Sequence, residues 1–147
     1  MENCIFCKII KGEIPCEKVY EDADFLAFLD INPLSPGHTQ VIPKKHYRYV
    51  WDVSNAGKFF EIVKKIALAQ KKAFNADIIR SQIYGEEIPH AHIWIWPDIK
   101  GDASNLKENG EKIIAAIIWP PQASPLWFSV QLYHQEQDHG SSARVWC

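Results

Sequence analysis

The sequence predicts an α+β fold with a mostly antiparallel sheet, on three observations. The run Pro89-His90-Ala91-His92-Ile93-Trp94-Ile95-Trp96-Pro97 alternates Ala91, Ile93 and Ile95 with His90, His92, Trp94 and Trp96, the period of a strand with one face on a core. From Ser54 to Asn75, the apolar residues Phe59, Ile62, Val63, Ile66, Ala69, Ala73 and Phe74 recur at helical spacing. The remaining apolar runs are short and joined by short turns, which connect antiparallel neighbours. Helices should then pack on one face of the sheet.

Taken in order, Ile5 to Lys11 is a short amphipathic helix ended by Gly12. Val19-Tyr20 and Phe25 to Leu29 form a hairpin across the acidic turn Glu21 to Asp24. Asp30 to Gly37 is turn chemistry, and His38 to Pro43 returns as a strand. Ser54 is the expected N-cap of the long helix. Ile78 to Ile83 is a strand, and Tyr84 to Glu87 turns the chain into the histidine strand, where both imidazoles should emerge side by side on the face away from the core. A last helix runs from about Leu106 to Ile117, weakened by Gly110. Residues 1–118 read as one domain. Residues 119–147 read as an atypical extension with one short strand, Leu126 to Leu132, and two solvated histidines, His134 and His139.

A chain of 147 residues is long enough for a real core. With 23% charged residues and a net charge of −2, it is not a non-specific nucleic-acid or anionic-membrane binder. It has no apolar run near the ~20 residues of a membrane span. The start, Met1-Glu2-Asn3-Cys4, lacks the basic and apolar regions of a secretory signal, so a cytoplasmic protein is expected. The cysteines are Cys4, Cys7, Cys16 and Cys147. In that compartment the Cys4/Cys7 pair admits three readings: two thiolates for tetrahedral Zn²⁺, a redox pair, or two inert buried thiols. Under the zinc reading, His46 and His90 are candidates for the other two ligands.

Four segments, in order, resemble the histidine triad (HIT) superfamily. They are Cys4-Ile5-Phe6-Cys7 through Pro15, Leu26 through Pro33, Pro36-Gly37-His38 through His46, and Gly85-Glu86-Glu87-Ile88-Pro89-His90-Ala91-His92. The resemblance covers about residues 4–117. It implies a five-stranded antiparallel sheet, and a homodimer in which two sheets join into a ten-stranded one through the long helix and its neighbouring strand. It further implies attack on the α-phosphate of a purine nucleotide or nucleoside phosphate conjugate, through a nucleotidyl-histidine intermediate. Residue by residue, His92 matches the nucleophile. His90 matches the histidine whose carbonyl fixes the nucleophile's tautomer, and His38 matches a supporting histidine on the neighbouring strand. Asp30 matches the acceptor of the ribose hydroxyls, while Phe6 and Ile31 match the walls around the base. In zinc-bearing members, the residues matching Cys4, Cys7, His46 and His90 hold the metal.

The departures from the family pattern are specific. Trp94 stands where the third histidine contacts the phosphate and assists the leaving group. Indole Nε1–H can donate a hydrogen bond but not a proton at neutral pH, and general-acid assistance is worth ~10²–10⁴-fold. Gly85-Glu86-Glu87 replaces the family's Gly-Gln-Ser or Gly-Gln-Glu, so Glu86 adds negative charge near the substrate site, with Glu87 beside it. Ile79 replaces a phosphate-contacting asparagine, and Arg80 beside it is either a positive partner for phosphate or a surface residue.

Overall fold

The structure is a computed structural model and describes residues 4–85 and 87–118. The expected tail strand Leu126 to Leu132, His134, His139 and Glu86 lie outside the described residues. The elements are α1 (Ile5–Ile10), β1 (Lys18–Glu21), β2 (Phe25–Leu29), β3 (Thr39–Pro43), a 3-10 turn (Val50–Asp52), α2 (Ala56–Ala73), β4 (Ile79–Gln82), β5 (Ile93–Pro97) and α3 (Leu106–Ile118). They form a five-stranded sheet in the order β1-β2-β3-β5-β4, every neighbouring pair antiparallel. The α+β class is as expected.

The acidic turn works as the hairpin signal suggests. Asp22 Oδ1 accepts from the backbone N–H groups of Asp24 and Phe25 at 2.8 and 2.7 Å, the side-chain turn that Asp favours. In α2 the apolar stripe Phe59, Ile62, Val63, Ile66 and Ala69 is buried as its spacing predicts. Its N-cap is Asn55, whose side chain accepts from the Lys58 N–H, and not Ser54. The Ser54 hydroxyl is engaged elsewhere, 2.8 Å from the Tyr47 hydroxyl. Gly110 does not interrupt α3. A Cβ there would lie 3.1 Å from Glu17 Cγ, so its absence lets the helix approach β1 and β2 closely.

Helices cover both faces of the sheet, which corrects the expectation of one. Phe25, Ala27, Leu29, Val41, Ile93 and Ile95 pack with the α2 side chains and Ile113 of α3. Leu26, Phe28 and Ile42, of opposite parity, pack with Cys4, Phe6 and Ile9 of the α1 segment. A six-residue helix is enough because β2 and β3 are buried on both sides there.

The histidine strand is also shorter than its alternation suggests. The strand begins at Ile93. Just before it, the His90 N–H donates to Ile88 O and the Ala91 N–H to Tyr47 O, both at 2.7 Å. His90 and His92 therefore belong to an extended lead-in that follows the strand's parity without its ladder. Among the described residues, no helix is long and apolar enough to cross a membrane.

Candidate functional site

The site lies on the α1 side of the sheet, where the lead-in to β5 passes β3 and the first turn of α1. His92 is the central group. Its Nδ1 lies 2.7 Å from the His90 carbonyl oxygen. A carbonyl only accepts, so Nδ1 carries the proton and Nε2 keeps its lone pair. Burial holds the ring below the usual histidine range, against the opposing influence of the His90 carbonyl and the Glu87 and Asp30 charges. His92 is therefore a neutral imidazole with a directed lone pair, the state a nucleophile needs. No described residue bonds its Nε2.

The imidazoles do not emerge into solvent, contrary to expectation: His92 is only 2% exposed. The Phe6 ring meets both edge-on, with centroids 5.7 Å from His90 and 5.4 Å from His92, and Trp94 lies tilted 6.3 Å from His92. Phe6 thus walls the two histidines. Ile31, the other expected base wall, is 76% exposed on the turn after Asp30.

Asp30 is buried at the end of β2. Its Oδ1 accepts from the Asn32 N–H at 2.8 Å and its Oδ2 from Gln40 Nε2 at 2.5 Å. A carboxylate offers about four lone-pair sites, so two hydroxyls can still be received. Gln40 escaped the sequence reading, although it shares parity with His38 and so faces the site. Glu87 is exposed, and its charge is felt at His92.

His38 immediately precedes β3, the strand beside β5. Its Nδ1 accepts from the Leu34 N–H at 3.2 Å, and its ring meets Trp94 and Trp96 edge to face at 5.2 and 5.4 Å. Its ring contacts are with these two indoles. Burial keeps it below the usual histidine range, with Asp30 opposing. Gln70, fully buried on α2, was also missed. Its Nε2 donates to Gly37 O, Thr39 Oγ1 and Ile95 O at 2.8, 3.1 and 3.1 Å, tying the residue before His38 to the residue after Trp94. Arg80 pairs with Asp98 at 2.6 Å on the surface, which favours its surface reading.

At the other end of the segment, Cys4, Cys7, His46 and His90 come together with their ligand atoms within 4.8 Å of one another. Cys4 Sγ lies 3.4 Å and Cys7 Sγ 3.6 Å from His90 Nδ1, and Cys7 Sγ lies 3.2 Å from His46 Nδ1. A tetrahedral ion with metal–sulfur and metal–nitrogen bonds of ~2.3 and ~2.0 Å has such edges, about 3.5 Å long. His90 Nε2 is 2.8 Å from the Pro43 carbonyl, which places the proton there and turns the Nδ1 lone pair toward the sulfurs, the outer bond typical of a metal-bound histidine. Burial, with the neighbouring Cys4, pushes the Cys7 thiol up to about 11, the reverse of a reactive redox cysteine. These four residues could hold a metal ion.

The chain has known relatives in both sequence and fold. The HIT domain family profile matches residues 11–100. The adenosine 5'-monophosphoramidase of Schizosaccharomyces pombe is 35% identical over 131 residues, covering 78% of this chain and 98% of that protein. Among solved structures, a HIT-like protein of Bartonella henselae described as involved in cell-cycle regulation superposes with a TM-score of 0.72 at 43% identity, covering 79% of this chain and 98% of that one. A zinc-bound histidine triad family protein of Mycobacterium smegmatis gives 0.68 at 30% identity, covering 79% and 94%. With the family profile matched over residues 11–100 and the fold shared with solved members, the chain belongs to the HIT domain family.

Proposed function

We propose that this protein is a nucleotide-binding hydrolase or transferase in which His92 Nε2 attacks the α-phosphate of a nucleoside phosphate and forms a nucleotidyl-histidine intermediate. The observation that carries this reading is the 2.7 Å contact of His92 Nδ1 with the His90 carbonyl, which aims the lone pair of a neutral ring away from its own backbone. Asp30 receives the ribose hydroxyls. Phe6 and Ile31 flank the base, and Glu87 and Trp94 border the phosphate. His38 supports the strand beside it. The monophosphoramidase activity named for the Schizosaccharomyces pombe relative is the same class of reaction. Trp94 cannot supply a proton, so turnover should be slow where the leaving group needs one.

The metal is taken to be zinc, held by Cys4, Cys7, His46 and His90. The zinc-bound Mycobacterium smegmatis neighbour and the tetrahedral spacing support it. Zinc there is structural and fixes the His90 imidazole. A homodimer is proposed through α2 and β4. That strand ends the sheet, and Phe60 and Leu68 of α2 and the adjoining Ile78 are exposed apolar side chains.

A second reading, a nucleotide binder without turnover, is favoured by the enclosure of His92 and by Trp94. The two are separated by incubating the protein with an adenosine phosphoramidate and measuring intact mass. An added AMP that disappears in His92→Asn supports the enzyme. AMP binding with no adduct supports the binder.

A further inference from the structure

Near Trp94, the buried atoms His38 Nε2, Gln40 Oε1 and Trp94 Nε1 have no hydrogen-bond partner among the described residues, and they belong to the site already described. A separate cavity of about 320 Å³ is lined by none of these residues, nor by His92. It opens between the β1–β2 turn, the segment after β3 and the entry to α2. Asp24 comes from the turn, Lys44, Lys45 and Tyr47 from the segment, and Ser54 and Asn55 from the helix entry. Its volume is at the lower end of the ~300–1,000 Å³ of small-molecule sites.

The charges around this cavity do not cancel. Lys44 and Lys18 share Glu21, and Lys58 lies between Asp22 and Asp24, so three cations are matched by three carboxylates. Lys45 is outside this set. Its ammonium rests 5.2 Å from the centre of the Tyr47 ring, and among the described residues no carboxylate pairs with it. One positive charge is therefore uncompensated. The hydrogen-bond inventory leans the same way. Tyr47 Oη and Ser54 Oγ lie 2.8 Å apart, and whichever donates, the other keeps a hydrogen for something else. Asn55 Oδ1 accepts from the Lys58 N–H at 3.2 Å, which fixes the amide and leaves both Nδ2 hydrogens unengaged. Against these donors stands the Asp24 carboxylate, already held by Lys58 at 2.6 Å. An occupant suited to this lining is anionic and rich in acceptors.

We propose that this cavity is a second binding site, for a small phosphate monoester, and that its occupancy is transmitted to the histidine segment. A phosphate group brings nearly two negative charges and three strong acceptor oxygens, which answer the Lys45 ammonium, the hydroxyl hydrogen and the Asn55 amide. The organic part lies against the buried Phe25, Pro43 and Val53, which also line the cavity. Transmission follows from what the lining residues do with their backbones. The Pro43 carbonyl accepts from His90 Nε2 at 2.8 Å, and the Tyr47 carbonyl accepts from the Ala91 N–H at 2.7 Å. These two bonds anchor the residues immediately before His92. A ligand that draws on Lys45 and the Tyr47 hydroxyl acts on the stretch of chain that carries both anchors. By linkage, binding at either site then changes affinity at the other by the same factor. None of this depends on whether His92 attacks phosphorus.

The test titrates the full chain, labelled with ¹⁵N, with glycerol 3-phosphate, using glycerol and sodium chloride of equal ionic strength as controls. The backbone amides of Lys45, Tyr47, Ser54 and Asn55 should move along one saturating curve, the Ala91 amide should follow that same curve, and neither control should reproduce it. Lys45→Gln, at an exposed side chain, should weaken the binding about 10-fold, the loss of one hydrogen bond from a charged donor. Ser54→Ala should weaken it less, and His92→Asn should leave it unchanged. Absence of saturable movement, or movement undiminished in Lys45→Gln, overturns the proposal. So does an Ala91 amide that stays in place while the cavity amides move. Movement at Ala91 without the cavity amides would put the phosphate in the nucleotide site and overturns it as well. No readout here requires turnover, so a missing AMP adduct on His92 would bear on the nucleophilic function alone.

Discussion

The two ends of the histidine segment are built on opposite plans. Around His90 every polar atom is engaged: Nε2 with Pro43, Nδ1 toward two sulfurs, and the backbone oxygen with His92. Around Trp94, two donors and one acceptor have no partner. The unpartnered atoms are buried, although Trp94 itself is half-buried where His90 is fully buried. A closed set of bonds holds its members still, whereas an open one leaves buried polar atoms unpaired at a cost in free energy.

The largest effect expected from breaking this contrast lies at the closed end. Replacing Cys4 and Cys7 together by serine should abolish zinc binding, measured by elemental analysis. It should also lower the thermal midpoint by about 10 °C or more, since metal binding free energy is folding free energy. An unchanged midpoint would mean that the cluster holds nothing. Next comes the staple behind the open end. Gln70→Met keeps the volume but removes the buried bonds its amide donates to Gly37 O, Thr39 Oγ1 and Ile95 O, at a cost of about 2 kcal/mol in urea unfolding. A loss no larger than a surface change would show that the amide does not brace the site.

The pH dependence of stability probes His38. Burial lowers its folded pKa, with Asp30 opposing, so below the unfolded value of about 6.5 the unfolded chain binds a proton that the folded one resists. Its contribution is intact above that pH and is lost as pH falls toward the folded value. His38→Gln should therefore flatten the decline in stability between about pH 7 and 5, followed by chemical unfolding at each pH. A decline as steep as before would place the acid sensitivity elsewhere. The smallest effect lies away from both ends: Asn55→Ala should cost about 1 kcal/mol by loss of the α2 cap, and Ser54→Ala less.

Much of this was legible from the chain. The alternation from Ala91 to Ile95 marked the core face of β5, and the stripe from Phe59 to Ala69 marked α2, because burial on one side imposes a period. Cys4, Cys7, His46 and His90 were readable as a metal set from spacing and resemblance together. What was hidden involved groups whose role depends on a partner distant in sequence. Gln70 reads as an exposed helical glutamine until the strands beneath it supply three acceptors. Asn55 and Ser54 are equivalent as caps until Tyr47 engages one of them. Position 94 names a donor, but only the neighbouring His38, with its Nδ1 already committed to Leu34, reveals a pair.

The double engagement of His90 has a practical consequence for anyone dissecting this molecule. Its imidazole lies against the cysteine sulfurs and its carbonyl against His92 Nδ1, and a side-chain replacement at this position disturbs both. If the four residues hold an ion as proposed, exchanging it for another while retaining the natural sequence leaves that carbonyl in place. Ion substitution, rather than mutagenesis, is therefore the way to separate scaffold from chemistry at this residue.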